Sequence, residues 1–303
     1  MTANQSHHWS PAEAPVVVIT GGTGGIGFHS ALGIAQTGAR VLIVGRNAER
    51  GEAARLQLAE QTGNETVELL VGDVSSSASI DALAGELLVR APRIDVLVNN
   101  AGYLGAQPAK SADGLEMHFA VNVFAPRRLT LALLPALKAA DRARVLNVTG
   151  GNKAGRIDPQ NLLAEKGFKG LGTYSHSKSV MEAMSMALAE ELKPEGVHVN
   201  VVYPGPATTA MTKQVSLDML PGLMKLVFPI FKLVLREDGG KSAAKAAKST
   251  IWASTTSELD GVAGAYFDSD TKRKKLHPTA YDADVQAAVL SVIERAEAAA
   301  PSA

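Results

Sequence analysis

From Val16 onward, short apolar runs rich in β-branched residues alternate with segments whose apolar positions return at helical spacing. VVVIT (Val16–Thr20) precedes a helix through Ala35, and VLIVG (Val41–Gly45) precedes a helix near Glu49 to Gln61. VELLVGDV (Val67–Val74) precedes Ile80 to Arg90, and IDVLVNNAG (Ile94–Gly102) follows. A strand and a helix repeated in this way imply right-handed crossovers and a parallel sheet, an α/β fold. Further strands are expected at ARVLNVT (Ala143–Thr149), VHVNVVYPG (Val197–Gly205) and GAYF (Gly264–Phe267). No stretch reads as a linker and no repeat is visible, so one domain is expected over residues 14–296, with flexible tails at 1–13 and 297–303.

One segment breaks the pattern. MLPGLMKLVFPIFKLVL (Met219–Leu235) is very apolar, but Pro221, Pro229, Lys225 and Lys232 oppose a membrane span and favour two short helices. The N-terminus lacks the basic and then apolar order of a signal peptide, so the expectation is a cytoplasmic protein without an integral membrane span.

Composition narrows the chemistry. Thirty basic residues balance thirty acidic ones over 303 residues, leaving no overall field for a phosphate backbone, so nucleic acid is not an expected partner. The basic run TKRKK (Thr271–Lys275) lies beside Asp268 and Asp270 and reads as a solvated turn without a function. With no cysteine, and seven histidines without ligand spacing, no metal site is expected.

TGGTGGIG (Thr20–Gly27) stands where the first strand ends and a helix begins. Glycines there let backbone approach a pyrophosphate, and the helix N-terminus offers free N–H donors. Two spacings overlap, GxGxxG and TGxxxGxG. The fourth strand ends in Asn99, Asn100, Ala101 and Gly102, and Tyr174 is followed four residues on by Lys178 at the start of a helix. With these motifs in this order, the chain resembles the short-chain dehydrogenase/reductase family from Val16 to about Ile293. The second spacing is the one that fits.

GRIDPQNLLAEKGF (Gly155–Phe168) and SELDGVAGAYF (Ser257–Phe267) are similar to segments of its retinol-dehydrogenase-like and carbonyl-reductase-like members. The resemblance implies a single doubly wound Rossmann domain with helices on both faces of the sheet. It also implies a dinucleotide on Gly21, Thr23, Gly24, Gly25, Ile26 and Gly27. Asp73 and Val74 would meet the adenine, Asn99, Asn100, Ala101 and Gly102 the middle of the cofactor, and Pro204, Gly205 and Thr209 the nicotinamide end. Where NAD-binding folds place an acidic side chain, this chain has Gly45, Arg46 and Asn47; an arginine fork suits a 2′-phosphate, so NADP(H) is expected over NAD(H).

Tyr174 and Lys178 share one helix face. An adjacent ammonium favours the phenolate, so the lysine is expected to lower the phenol pKa and, by resemblance, to bind the nicotinamide ribose. Asn122 matches the family asparagine of a proton relay. His118 reads as a surface or supporting residue, and His176 as pointing away.

VLNVTGG (Val145–Gly151) departs from the family pattern, in which this strand ends Asn, aliphatic, Ser, Ser and the second serine polarises the substrate carbonyl. Aligning Asn147 puts Thr149 at the first serine and Gly150 at the second. Thr149 can substitute only if a bulge re-aims it, since neighbours on a strand face opposite sides. Asn152 or water could donate instead, or the chemistry is slower or different. Loss of one such donor costs roughly 10² to 10³ in rate.

The segments 151–173 and 207–240 are expected to cover the substrate, with Leu217, Leu220, Met224, Phe228 and Phe231 as an apolar wall. The expected activity is interconversion of a bulky hydrophobic ketone and its secondary alcohol. Two alternatives stay open: non-redox proton transfer, cyclisation or isomerisation, and a cofactor-bound protein without turnover. The helix SVMEAMSMALAEEL after Lys178 resembles the face through which many relatives pair as homodimers or homotetramers.

Overall fold

Val16–Thr20 (β1) is buried along its whole length, and its side chains divide between two cores. Val16 and Val18 join one apolar cluster and Val17 and Ile19 the other, as the two-residue period of a strand covered on both faces requires. The computed structural model describes residues 14–150, 156–213, 215–216, 219 and 238–299. Within them an eight-stranded sheet runs in the order β3-β2-β1-β4-β5-β6-β7-β8. The strands are Arg40–Gly45 (β2), Val67–Val71 (β3), Val96–Asn99 (β4), Arg144–Val148 (β5), His198–Val202 (β6), Tyr266–Phe267 (β7) and Arg273–Lys274 (β8). All neighbouring pairs are parallel except β7 with β8.

Gly25–Ala35 (α1) and Ala48–Thr62 (α2) lie on one face; Ser77–Arg90 (α3) and a helical stretch at 117–138 lie on the other. That stretch comprises Met117–Phe119 (α4), a π-helical turn at Ala120–Phe124, Ala125–Ala132 (α5) and Leu134–Lys138 (α6). Gly170–Leu192 (α7) continues this face, Ala210–Lys213 (α8) follows β6, and Lys241–Thr255 (α9) packs on α1. Ala283–Ala299 (α10) packs on α7 and continues beyond the expected domain end at 296. The chain reverses its winding between β1 and β4, where open α/β sheets place their ligand crevice.

The strands stop sooner than their apolar runs suggest. β3 ends at Val71 because Asp73 turns the chain, its Oδ1 accepting from Ser75 N at 2.9 Å. β4 ends at Asn99 because Asn100 bonds back to the first strand. Helix α3 starts before Ile80, at Ser77, where the Ser76 side chain caps it. Thr271–Lys275 is half turn and half strand: Arg273 and Lys274 pair antiparallel with β7 as an exposed edge, a charged edge that resists further pairing. Part of the helix after Lys178 packs within the chain. Val180, Met181, Ala183, Met184 and Leu188 are all buried, with α10 and the turn Pro278–Tyr281 packed on α7. Of the Met219–Leu235 segment only Met219 is described, so the two short helices and the wall of Leu217, Leu220, Met224, Phe228 and Phe231 lie outside the described residues, as does Asn152. Among the described residues no helix is long and apolar enough to cross a membrane.

A buried amide chain ties α7 to the sheet. Asn99 Nδ2 donates to Asn147 Oδ1 at 2.9 Å, and Asn147 Nδ2 donates to Ser185 Oγ at 2.8 Å. Replacing Asn147 with leucine fills the same space but leaves both partners short of a bond, so Asn147→Leu should cost about 2 kcal/mol of stability. Urea unfolding should show a lower midpoint at unchanged slope, and an unaltered midpoint would show that the amide chain holds nothing.

Candidate active site

The glycine turn is shaped by contacts that exclude a side chain. Gly21 and Gly25 have φ of 66° and 55°. A Cβ on Gly27 would lie 2.2 Å from the Gly21 carbonyl oxygen and 2.5 Å from Asn100 Nδ2, so helix α1 starts hard against the turn. Thr20 clamps it to β4: its Oγ1 accepts from Asn100 N and Ala101 N at 3.1 and 3.0 Å. Asn100 Nδ2 donates to Thr20 O at 3.0 Å. The first turn of α1 has no side-chain cap and no acidic residue, and Gly24 faces open space. Free N–H groups at an uncapped N-terminus suit a pyrophosphate.

A cleft of about 250 Å³ opens from this turn. Of the expected residues Gly21, Thr23, Arg46, Asp73, Val74, Ala101 and Gly102 line it, joined by Arg50. Gly24, Gly25, Ile26 and Gly27 form the helix start, and Thr209 lies across from it, its Cγ2 3.1 Å from where a Cβ on Gly25 would be. Gly205 has φ of 88° beside Ser269, after Pro204. Asn47 is committed to capping α2, accepting from Arg50 N at 2.8 Å, and Asn99 is buried in the amide chain to Asn147; neither lines the cleft. Arg46 and Arg50 are exposed, and neither pairs with a carboxylate among the described residues.

Asn122 and Lys178 meet beside the cleft residue Gly102, and Tyr174 lies next to Lys178. Lys178 Nζ lies 6.0 Å from the Tyr174 ring centre and donates to Val148 O at 2.9 Å. A Cβ on Gly102 would lie 3.4 Å from Asn122 Oδ1 and 3.7 Å from Lys178 Nζ. Asn122 sits in the π-helical turn, completely buried. Its Nδ2 donates to Ser177 Oγ at 2.9 Å and Tyr103 O at 3.1 Å, and its Oδ1 accepts from Tyr103 N at 2.8 Å. The asparagine therefore joins the loop after β4 to α7, while Ser177 Oγ donates to Tyr174 O at 2.8 Å.

The strand end resolves which way its residues face. Thr149 Oγ1 donates to Glu182 Oε1 at 2.6 Å inside the protein, so its hydroxyl is aimed at α7 and committed to a carboxyl group. No bulge re-aims it toward Tyr174. Gly150 is the position that faces the phenol: a Cβ there would lie 3.1 Å from Tyr174 Oη.

The expected lowering of the phenol pKa does not occur in the chain alone. Burial pushes Tyr174 up to about 12, with Tyr203 adding in the same direction. The cause is an apolar enclosure, since Tyr174 packs against the cluster of Leu104, Val215 and Met219, on which Leu171 and Met211 also pack. Burial also pulls Lys178 down to about 8, opposed by Glu182, and pushes Glu182 up to about 7, opposed by Thr149 and Lys178. Of the two roles expected for His118, the supporting one is the one seen. His118 is fully buried, bonded through Nδ1 to Glu116 at 2.7 Å and through Nε2 to Gly105 N at 3.1 Å, and so braces the loop beside the cleft. His176 is half-buried, its Nε2 without a partner among the described residues, and burial lowers its pKa.

Thr20, Arg50, Ser177 and Glu182 join the site from outside the sequence expectations. Glu182 had a legible signal, since it follows Lys178 by the same four residues that separate Lys178 from Tyr174.

The model of the family described as short chain dehydrogenase matches residues 15–220. Retinol dehydrogenase 11 of Mus musculus is 32% identical over 253 residues, spanning 83% of this chain and 77% of that protein. Retinol dehydrogenase 12 of Homo sapiens is 34% identical over 266 residues, 88% of this chain and 80% of that protein. Among solved structures, the Pseudomonas aeruginosa RhlG/NADP active-site complex superposes with a TM-score of 0.64 at 26% identity, covering 84% of this chain and 94% of the other.

Proposed function

The chain belongs to the short-chain dehydrogenase family, and from that premise we propose that it is an NADP(H)-dependent oxidoreductase interconverting a bulky hydrophobic ketone or aldehyde and its alcohol. The observation that carries this reading is that Asn122 and Lys178 meet beside Gly102, a residue of the cleft that also carries Arg46 and Arg50, while Tyr174 and Lys178 flank Gly150. A bound nicotinamide supplies the hydride. Arg46 and Arg50, two guanidinium groups without carboxylate partners among the described residues, would hold the 2′-phosphate, and the uncapped start of α1 would hold the pyrophosphate. The NADP complex of the RhlG protein supports a nicotinamide cofactor.

Tyr174 gives its proton to the substrate oxygen. Burial raises its pKa, so the phenol carries that proton through the neutral range and has it to give. In the oxidising direction the proton must first leave, which burial opposes. Lys178 orients the ribose from a buried position fixed by Val148 O. The apolar residues around Tyr174, including Met211, Val215 and Met219 of the segment expected to cover the substrate, favour a large hydrophobic carbonyl compound, in keeping with the retinol dehydrogenases among the relatives.

Gly150 favours a second reading, proton transfer without hydride, because the hydroxyl donor of the family is missing where it would meet the carbonyl. Gly150→Ser adds that donor and Gly150→Ala adds only its Cβ, whose 3.1 Å approach to Tyr174 Oη requires a small local shift. Under the reductase reading the serine variant should exceed the alanine variant at least about tenfold in carbonyl reduction. Equal rates would favour the second reading. The central test uses all-trans-retinal and a panel of polycyclic ketones with NADPH: Tyr174→Phe should lower kcat by about 10² or more with NADPH affinity within about threefold of wild type, and undiminished turnover would refute the assignment. Arg46→Ala and Arg50→Ala should each weaken NADPH binding about tenfold while leaving NADH unchanged. Equal losses for both cofactors would remove the 2′-phosphate from this reading.

A further inference from the structure

Helix α7 carries a third ionisable side chain inward. Glu182 is only 5% exposed and lies one helical turn beyond Lys178. The two grip consecutive residues at the end of β5: Lys178 Nζ bonds the carbonyl of Val148, and Glu182 Oε1 accepts from the hydroxyl of Thr149. Thr149 is itself pinned, its N–H donating to Val202 O at 2.9 Å. The next residue is Gly150, which faces Tyr174. Resting on the Tyr174–Lys178 reading above, we propose that Glu182 is a positioning residue of this site: anchored on Thr149, it supplies the counter-charge that keeps Lys178 a cation and holds the end of β5 in register with α7.

The physical need is plain. An ammonium taken out of water with one neutral carbonyl as partner tends to lose its proton, and an anion one turn away opposes that loss. Burial and Glu182 pull Lys178 in these opposite directions, and the same two influences, with Thr149, act on Glu182. The other ionisable groups facing this corner are Tyr174 on α7, Tyr203 after β6, and Tyr266 and Asp268 on and after β7. Tyr266 feels Glu182, Tyr203 and Asp268, and Tyr174 feels Tyr203. Lys178 is the charged group that acts on Glu182. The counter-charge therefore matters on the alkaline side, where Lys178 would otherwise deprotonate.

NADPH affinity measured by fluorescence from pH 6 to 10 tests this on the intact protein, with Lys178→Ala identifying the alkaline loss that belongs to the lysine. Glu182→Gln should move that loss about one pH unit lower. Thr149→Val, which removes the hydrogen bond favouring the carboxylate, should move it the same way. Thr149→Ser should not, and the double variant should go no further than Glu182→Gln alone. Superimposable profiles for wild type and Glu182→Gln overturn the proposal. An alkaline loss that survives Lys178→Ala instead overturns the Tyr174–Lys178 reading. Thermal unfolding without cofactor is an independent check. An acid raised from 4.5 to about 7 in the folded chain makes wild type lose stability as pH rises across that window, so Glu182→Gln should gain on wild type there. Parallel melting curves would show that no such buried carboxyl exists.

Discussion

An ammonium inside a protein needs an acceptor that the backbone is not already using, and the geometry of this site follows from where Lys178 finds one. Its acceptor is the Val148 carbonyl at the end of β5. The ladder between β4 and β5 has stopped one residue earlier, at Asn99 and Asn147, because Asn100 turns away to bond Thr20. That same turn brings Ala101 and Gly102 into the cleft and presses Asn100 Nδ2 toward Gly27. The early end of β4 thus exposes the lysine's acceptor and shapes the glycine turn together.

Burial also decides the charges at the floor. A nearby ammonium would favour a phenolate. Desolvation of the enclosed phenol outweighs any such help, and Tyr174 ends up near 12. The lysine suffers the same penalty in the opposite sense and falls to about 8, which leaves it charged at neutral pH with little margin. Burial therefore favours the neutral form of both groups, the protonated phenol and the deprotonated amine, and Glu182 opposes it at the amine.

Regular structure was legible because β1, β2 and the other buried strands are uninterrupted apolar runs, and the order of the glycine turn, Tyr174 and Lys178 along the chain chose between the two spacings of the turn. What escaped depends on long-range partners. The strand ends at Val71 and Asn99 are cut by Asp73 and Asn100, whose bonds no periodicity reports. His118 is buried with Glu116 on its Nδ1 and the Gly105 N–H donating to its Nε2, and the helix after Lys178 is packed by a C-terminal helix distant in sequence. Alternation along β5 did foretell that Thr149 and Gly150 face opposite ways, but only the packing of α7 shows that Thr149 meets a carboxyl group.

That last pair gives the strand end its meaning. Compared with a strand that ends in two serines, the polar capacity here has moved from the substrate side to the lysine side. Gly150 leaves space beside the Tyr174 hydroxyl, and Thr149 spends its hydroxyl on Glu182. Under the proposed chemistry, negative charge developing on a substrate oxygen would then be met by the Tyr174 proton without a second hydroxyl from this strand. A donor that is absent lowers the rate for every carbonyl, but a missing side chain next to the phenol also admits substrates whose carbonyl carries bulk on both sides. Under that chemistry the strand end leaves room beside Tyr174, while the hydroxyl of Thr149 and the carbonyl of Val148 are both taken by side chains of α7.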